Sequence, residues 1–346
     1  MKNPKITTII PTYKRPKLLQ KALTSIINQT YSNFEVHVCD NNSQDETETV
    51  VKDFIKKDPR IHYHCHEENI GMMANYKYGF SLVKSPFFSL LSDDDILFPW
   101  FYEETIKGLI EFPEVAISAS STIIMSPHGE VKEVPLESRQ KEGKISPPNS
   151  LFELIGKYPV PTCIIFRKDM INKIYIDESN SLVWDCDFLI QIAARYPIFI
   201  SKKPCGILLT HEQSFSTSQN IDTWKNSIFK LKNRIKLFNQ ISLEHKKIVC
   251  KLLENQLNNE LKNASFASIK EYLFAKDIKK LKKSIANYRK KYNSNYKIFI
   301  ISIIIFFYPF FRWNTNLLLW IRKLKKTFPL SKFSPYKKYK IWLTKY

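Results

Sequence analysis

Residues 6–13 read ITTIIPTY, a β-branched apolar run that is interrupted by a proline. This pattern is typical of a buried strand that enters a loop. Apolar residues then recur at helical spacing between positions 18 and 27, and a second strand-like run, FEVHVC, occupies residues 34–39. Another helical segment follows at residues 45–54. A strand–helix–strand–helix order in so short a stretch predicts an α/β fold with a parallel sheet and crossover helices.

Polar residues follow each predicted strand. Thr12 and Tyr13 come after the first strand, and Asp40 and Asn41 come after the second. A third apolar run leads straight into three carboxylates at positions 93–95. In open α/β sheets, ligands bind outside the carboxyl ends of the strands. We therefore expect the three strand ends to converge on one crevice.

Three adjacent carboxylates, Asp93, Asp94 and Asp95, repel one another unless they lie at a surface or around a cation. Oxygen ligands of this kind suit a hard divalent ion, Mg²⁺ or Mn²⁺. The alternative is a solvated turn before a helix that Pro99 could open. Because two further strand ends point to the same crevice, the metal interpretation is favoured.

The positive charge of the chain lies in its C-terminal part. The 346 residues carry a net charge of +20, but residues 220–346 hold 29 Lys and Arg against 6 Asp and Glu. A basic region of this kind indicates nucleic acid or an anionic membrane surface as its partner. The six Cys form no CxxC pair, which argues against a zinc site or a disulfide framework and favours reduced thiols in the cytoplasm.

Two further carboxylates lie in the stretch LVWDCDFL, residues 182–189. Asp185 and Asp187 are two positions apart and cannot share one face of a helix. We expect one of them to face the crevice and the other to cap the helix that runs to Arg195. His211 comes just after another predicted strand.

The order and spacing of these motifs resemble the inverting family-2 glycosyltransferases with the GT-A fold, over about residues 5–218. IIPTYKRP at residues 9–16 resembles the opening strand and donor loop of the family, and DNNSQD at 40–45 resembles its acidic motif. Residues 92–95 resemble its DxD region. WDCDF at 184–188 is similar to the acceptor-site motif, and THEQS at 210–214 is similar to the closing histidine segment.

The resemblance implies a Rossmann-like, mostly parallel sheet flanked by helices and a metal-dependent enzyme. The expected reaction is the inverting transfer of a sugar from a nucleotide diphosphate sugar, with a UDP-sugar as the expected donor. The donor-binding residues are expected to be Pro11, Thr12, Tyr13, Arg15, Asp40, Asn41, Asn69, Gly71, Asn75 and Asp93. The metal ligands are expected to be Asp94, Asp95 and His211, with the choice among the three consecutive aspartates open.

The same resemblance assigns the acceptor side. Asp185 is the expected general base, which takes a proton from the acceptor hydroxyl as it attacks. Trp184 and Asp187 are expected beside it. Two positions depart from the family pattern: Asn41 follows Asp40 where many members have a second acid, and Trp184 stands where an acid often precedes the base. The first departure leaves the nucleotide base undetermined.

Two other classes of protein share parts of this pattern. A nucleotidyltransferase would use a similar sheet and carboxylates, but it is expected to carry a Gly-rich phosphate loop near the N-terminus, and the chain has only 7 Gly. A non-catalytic, membrane-bound glycan-binding protein would leave the motifs unused. The absence of donor hydrolysis would favour that second class.

The C-terminal part predicts a membrane-associated extension of a catalytic domain at residues 1–219. Residues 220–295 read as Lys-rich amphipathic helices. Residues 298–311 are uncharged and almost wholly apolar, yet shorter than the roughly 20 residues that span a bilayer. With flanking Trp and Lys, residues 296–346 predict an interfacial or re-entrant segment on an anionic membrane, at its cytoplasmic face. The alternatives are a helix of the soluble core and a single span.

This extension also bears on the partners. A membrane-bound transferase implies a lipid-linked or cell-surface glycan as the acceptor. Nucleic acid is disfavoured because the aromatic residues of the tail lie in apolar runs, and not between basic residues as a base-stacking platform requires.

Overall fold

The computed structural model describes residues 3–126, 129–137, 142–155, 158–210, 221–239, 241–274 and 278–292. The chain divides into two compact units, residues 1–253 and residues 254–346. Every described strand belongs to the first unit. In the second unit the described residues are helical.

The described strands are β1 (Ile6–Thr12), β2 (Phe34–Asp40), β3 (Ile61–Cys65), β4 (Phe87–Leu90), β5 (Ile96–Leu97), β6 (Ile117–Met125), β7 (Val131–Glu133), β8 (Gly143–Ile145), β9 (Ile164–Arg167) and β10 (Ile198–Leu209). The described α-helices are α1 (Pro16–Ile27), α2 (Thr47–Lys57), α3 (Met72–Leu82), α4 (Phe101–Glu111), α5 (Asn149–Leu154), α6 (Trp184–Ala193), α7 (Ile221–Lys236), α8 (Leu243–Phe274) and α9 (Ile278–Tyr292). The described 3₁₀ helices span Pro161–Cys163, Lys168–Lys173 and Glu178–Val183.

These strands form one sheet with the order β3-β2-β1-β4-β9-β6-β10-β5, while β7 pairs with β6 and β8 pairs with β10. The first four strands of the path are parallel to one another. β9 lies antiparallel between β4 and β6, and β5 is antiparallel to β10. The predicted α/β fold is therefore confirmed. Six of the described strands run in one direction, and β5, β7, β8 and β9 run in the opposite one, so the mainly parallel sheet is mixed.

The strand register places the predicted strand ends side by side. Thr12 at the end of β1 pairs with Asp40 at the end of β2. On the other side of β1, Ile9 pairs with Leu90 of β4. The chain segments that follow β1, β2 and β4 thus leave the sheet at one edge.

Helix α3 lies close to β1 because it carries a glycine at the contact. A Cβ atom on Gly79 would lie 2.4 Å from Cγ2 of Ile9, closer than real Cβ atoms approach a neighbour. The helix begins after Gly71, whose φ of +85° favours glycine. This close packing holds Asn75 and Tyr76, one turn before Gly79, near the strand ends.

The first unit includes part of the predicted Lys-rich region. Helix α7 follows the predicted boundary at residue 219 and packs against the 3₁₀ helix Glu178–Val183. Among the described helices, none is both long enough and apolar enough to cross a membrane. The predicted membrane segment, residues 296–346, lies outside the described residues.

Candidate active site

A cleft of about 500 Å³ opens at the carboxyl ends of β1, β2 and β4. Its other walls come from α3, the end of β10 and the start of α6. The described residues that line it are Pro11, Thr12, Tyr13, Arg15, Asn41, Asn69, Met72, Asn75, Tyr76, Ser92, Asp93, Asp94, Asp95, Ser181, Leu182, Trp184, Asp185, Leu208, Leu209 and Thr210. Most of the predicted site residues therefore share one cavity.

Arg15 joins two of the three consecutive carboxylates. Its Nη1 lies 3.1 Å from Oδ1 of Asp93 and 3.0 Å from Oδ2 of Asp94. The Oγ1 hydroxyl of Thr12 donates to the other oxygen of Asp93 at 2.8 Å. Residues that follow β1 therefore hold the carboxylates that follow β4.

The side chain of Asp95 turns away from this pair and is only 2% exposed. The Thr162 hydroxyl donates to its Oδ2, and the backbone N–H of Leu209 donates to Oδ1 at 3.3 Å. Its carboxylate thus links β10 and the Pro161–Cys163 helix to the acidic run. Asp94 keeps the most open position of the three, with a side chain that is 12% exposed.

Two carboxylates of this run have raised pKa values. Burial raises the pKa of Asp93 to about 6, against the attraction of Arg15 and with the repulsion of Asp94. Burial also raises the pKa of Asp95 well above its ordinary value, and the neighbouring Asp94 raises it further. Burial and mutual repulsion therefore both disfavour the charged forms of Asp93 and Asp95.

Asn41 and Asn69 form the wall on the β2 side. Nδ2 of Asn41 donates to Oδ1 of Asn69 at 2.8 Å, and Oδ1 of Asn41 accepts the backbone N–H of Ile70 at 2.9 Å. Gly71 does not line the cleft, but its N–H donates to Oδ1 of Asn69 at 2.9 Å. The side chain of Asn75 is fixed by a bond from its Nδ2 to the carbonyl of Cys39 at 2.9 Å.

Asp40 lies below the cleft and not among its described lining residues. Its Oδ1 accepts the N–H and hydroxyl of Ser43 at 3.0 and 2.5 Å, and its Oδ2 accepts the hydroxyl of Tyr63 at 2.6 Å. The side chain is 2% exposed. Asp40 was predicted to bind the donor; the structure places its carboxylate against Ser43 and Tyr63, outside the described lining of the cleft. Asn41 is the residue of this motif that faces the cavity.

Tyr13 stands at the mouth of the cleft and is 40% exposed. The pKa of its hydroxyl is lowered by hydrogen bonding to Asn69 and to Lys14. Lys14 adopts a φ of +54°, and its N–H donates to Oγ of Ser43 at 2.9 Å. The donor loop is thus tied to the motif after β2.

The first turn of α6 separates the two acceptor-side carboxylates, as expected. Asp185 lines the cleft, its Oδ1 accepts the N–H of Cys186 at 2.8 Å, and burial raises its pKa. Asp187 faces away from the cavity and does not cap the helix. Its Oδ2 lies 2.9 Å from Nε of Arg234 in α7.

An aromatic pair forms part of the same wall. The ring of Trp184 lies 4.7 Å from that of Tyr76, centroid to centroid, and both residues line the cleft. Tyr76, Leu182 and Leu209 were not predicted as site residues. The only sequence signal for Tyr76 was its place one position after Asn75, and its apolar neighbours in α3 favoured a packing role.

The predicted metal site includes one residue that the structure does not describe. His211, the third predicted ligand, lies outside the described residues. Within the described ranges, no group of three His, Cys, Asp or Glu side chains is arranged to hold a metal ion.

Known proteins resemble this chain in both sequence and fold. Residues 7–175 match the sequence profile named Glycosyl transferase family 2. This region is a family-2 glycosyltransferase domain. The match includes β1 to β9 and the whole acidic run, and it ends before Asp185.

Curated relatives of this glycosyltransferase domain carry related names. A GalNAc(5)-diNAcBac-PP-undecaprenol beta-1,3-glucosyltransferase of Campylobacter jejuni is 39% identical over 95 residues, which are 27% of this chain and 31% of that protein. An uncharacterized glycosyltransferase of Methanocaldococcus jannaschii, MJ1057, is 26% identical over 203 residues, 56% of this chain and 67% of that protein. The first of these alignments spans less than a third of the relative.

Solved structures share the fold. TarS residues 1–349 of S. aureus, in complex with UDP-GlcNAc, superposes with a TM-score of 0.60 at 19% identity, over 73% of this chain and 72% of that one. The mannosyltransferase PcManGT of Pyrobaculum calidifontis, in complex with GDP-Man and Mn²⁺, gives a TM-score of 0.51 at 13% identity, over 90% and 88% of the two chains. The domain therefore has a mixed α/β, GT-A-like fold.

Proposed function

We propose that the protein is an inverting glycosyltransferase that moves a sugar from a nucleotide diphosphate sugar to a lipid-linked or cell-surface glycan. The observation that carries this proposal is the shared cleft, in which the Asp93–Asp95 run and Asp185 face one cavity from different walls. The carboxylate run marks the donor side. Asp185 supplies a proton acceptor on the other side.

The donor is a nucleotide sugar, with UDP as the favoured nucleotide. In support, TarS was solved with UDP-GlcNAc, although PcManGT was solved with GDP-Man. In this cleft Tyr13 can stack on the nucleotide base, since its ring is exposed at the mouth. Asn41 and Asn69 offer amide groups beside it. Asp40 acts indirectly, by holding the loop at Ser43.

A divalent cation, Mg²⁺ or Mn²⁺, fits the acidic run. Burial and the repulsion between adjacent carboxylates raise the pKa values of Asp93 and Asp95, and a cation beside them would offset that repulsion. Hard oxygen donors suit such an ion. Asp94 is the favoured ligand because it is the most open of the three; Asp95 and His211 are the further candidates. When bound, the ion neutralises charge on the diphosphate leaving group.

Asp185 acts as the general base. Because the pKa of Asp185 is raised, its carboxylate accepts a proton at neutral pH more readily than an ordinary aspartate does. The N–H of Cys186 orients one of its oxygens. Trp184 and Tyr76 offer ring faces to an acceptor sugar, and Asp187 supports this wall from behind.

The acceptor is proposed to be lipid-linked, at the cytoplasmic face of a membrane. The Campylobacter relative is named for an undecaprenol-linked acceptor. The described helix α9 carries seven Lys and Arg and no Asp or Glu, which suits attraction to anionic headgroups. Residues 296–346 would supply the apolar contact.

The donor and base assignments are tested by a transfer assay. Radiolabelled nucleotide sugars are incubated with the full chain, membrane lipid extracts and Mn²⁺ or Mg²⁺. We expect a labelled lipid-linked product with one donor and its loss in Asp185→Asn. Asp53→Asn, an exposed carboxylate on α2, is the matched control and should retain transfer. Turnover by Asp185→Asn would remove this residue from the mechanism, and release of pyrophosphate would indicate a nucleotidyltransferase.

The membrane assignment is tested separately. A chain truncated after residue 295 should lose sedimentation with vesicles of anionic phospholipid, while the full chain should bind them and not neutral vesicles. Equal sedimentation of both chains would contradict the role of the tail.

A further inference from the structure

The wall of the cleft that carries Asp185 is not part of the β-sheet. It consists of residues 174–187, which include the 3₁₀ helix Glu178–Val183 and the first turn of α6. Ser181, Leu182 and Trp184 in this segment line the cavity. The position of Asp185 therefore depends on what holds this segment in place.

Arg234 of α7 contacts this wall at three points. Its Nη2 lies 2.7 Å from Oδ2 of Asp177, and its Nε lies 2.9 Å from Oδ2 of Asp187. The guanidinium carbon also lies 4.9 Å from the ring centroid of Tyr175. One side chain thus joins the beginning of the segment to its end.

A second residue of α7 contacts the middle of the segment. Nζ of Lys230 donates to the carbonyl and the hydroxyl of Ser179, at 2.7 and 3.0 Å. From the opposite direction, Lys77 of α3 forms an ion pair with Glu178. These two contacts are more exposed than the one at Arg234, and exposed ion pairs contribute little.

The pair between Arg234 and Asp187 is the buried contact of the set. The Asp187 side chain is 2% exposed and that of Arg234 is 21% exposed. Burial raises the pKa of Asp187 to about 7, while Arg234 favours its charged form. Removal of one partner from such a pair leaves an uncompensated buried charge, so the wall and the helix are strongly coupled.

We propose that Arg234 is a positioning residue: by bridging Asp177 and Asp187, it fixes the wall that presents Asp185 to the acceptor. This inference rests on the proposed function of Asp185. It assigns to the first Lys-rich helix, which lies beyond the matched family region, a role in the chemical step and not only in membrane attachment.

The test uses the full chain with Arg234→Gln combined with Asp187→Asn, which removes the buried ion pair together with both of its charges. Asp177 also loses Arg234 but keeps its two hydrogen bonds from Ser179. Transfer is expressed as kcat per UDP-binding site, counted by calorimetric titration, so that any misfolded fraction cancels. We expect a fall on the order of tenfold or more, because small displacements of a catalytic group are costly. The UDP affinity should not change, since Arg15 and Asp93 lie on other elements.

Two further variants sharpen the test. Arg234→Lys keeps the charge but cannot reach both carboxylates with a planar fork, so its kcat should fall between wild type and the double variant. Lys236→Ala removes an exposed cation two positions away and should behave as wild type. An unchanged kcat per site in the double variant would overturn the proposal.

A last measurement does not depend on turnover. Hydrogen–deuterium exchange of peptides spanning residues 177–187 should increase in the double variant and stay at the wild-type level in Lys236→Ala. If the wild type transfers no sugar, the proposed function fails but this readout still tests the positioning. Unchanged exchange would refute the positioning itself.

Discussion

Replacement of Asp93 by Asn should stabilise the protein in the absence of donor and metal, although the residue lies in the candidate site. Asp93 is 5% exposed, and its pKa is raised from 3.8 to about 6. A difference of this size in pKa corresponds to about 3 kcal/mol between the charged and neutral forms. Asparagine has nearly the shape of the protonated acid, and Oγ1 of Thr12 can still donate to its amide oxygen.

The pH dependence gives the sign of this effect. Because the pKa of Asp93 is higher in the folded than in the unfolded chain, the folded state binds more protons between these values, and its stability falls as the pH rises through about 6. The stabilisation by Asp93→Asn should therefore be small near pH 4 and reach about 3 kcal/mol near pH 7.5. The substitution also removes the repulsion of the Asp95 carboxylate by Asp93, which stabilises the folded protein further.

Urea unfolding of metal-free Asp93→Asn and wild type at these two pH values measures the difference. Asp53→Asn serves as the exposed control and should show no comparable gain at the higher pH. Added Mn²⁺ and UDP should stabilise the wild type more than Asp93→Asn, since the bound cation then balances the negative charge of Asp93. If Asp93→Asn is less stable than wild type at the higher pH, or if the difference does not depend on pH, the charge argument is refuted.

Three further substitutions test individual contacts. Gly108→Ala should destabilise the first unit by about 1–3 kcal/mol in urea unfolding, because the new Cβ would lie 2.3 Å from Cγ of Phe199; a stability gain would contradict this packing. Thr162→Val should remove a hydrogen bond to Asp95 and cost about 1–3 kcal/mol at neutral pH. Since the pKa of Asp95 is already raised, that loss should shrink at acid pH, and a pH-independent loss would refute the assignment. Trp184→Leu should raise the acceptor KM about tenfold with the donor KM unchanged, and an effect on the donor alone would move Trp184 to the donor side.

The sequence patterns predicted that three strand ends meet at one cleft, and they could do so because the determinants are local. Each strand end combines an apolar run with the polar residues that follow it, and parallel pairing brings those ends together. Thr12, Asn41 and Asp93 accordingly line one cavity. The apolar run at residues 163–166 predicts a strand, which the structure confirms as β9. Its antiparallel pairing with β4 and β6 could not be predicted, because these partners lie far away in the sequence.

The roles of single carboxylates were harder to predict for the same reason. Asp40 was expected in the cleft, but it bonds to Tyr63, which lies 23 positions later and gives no local signal. Asp187 was expected near the acceptor, but it pairs with Arg234 of a helix that the patterns assigned to a separate region. Where a carboxylate points depends on a partner that only the fold brings near.

The separate construction of the two cleft walls has a consequence for how such enzymes diversify. The wall at the ends of β1, β2 and β4 belongs to a hydrogen-bonded sheet, where a changed residue disturbs its neighbours. The opposite wall, residues 174–187, lies outside the sheet and forms ion pairs with side chains of α3 and α7. Substitutions in this segment or in α7 can therefore reshape one wall of the cleft while the strand ends of the other wall stay in place.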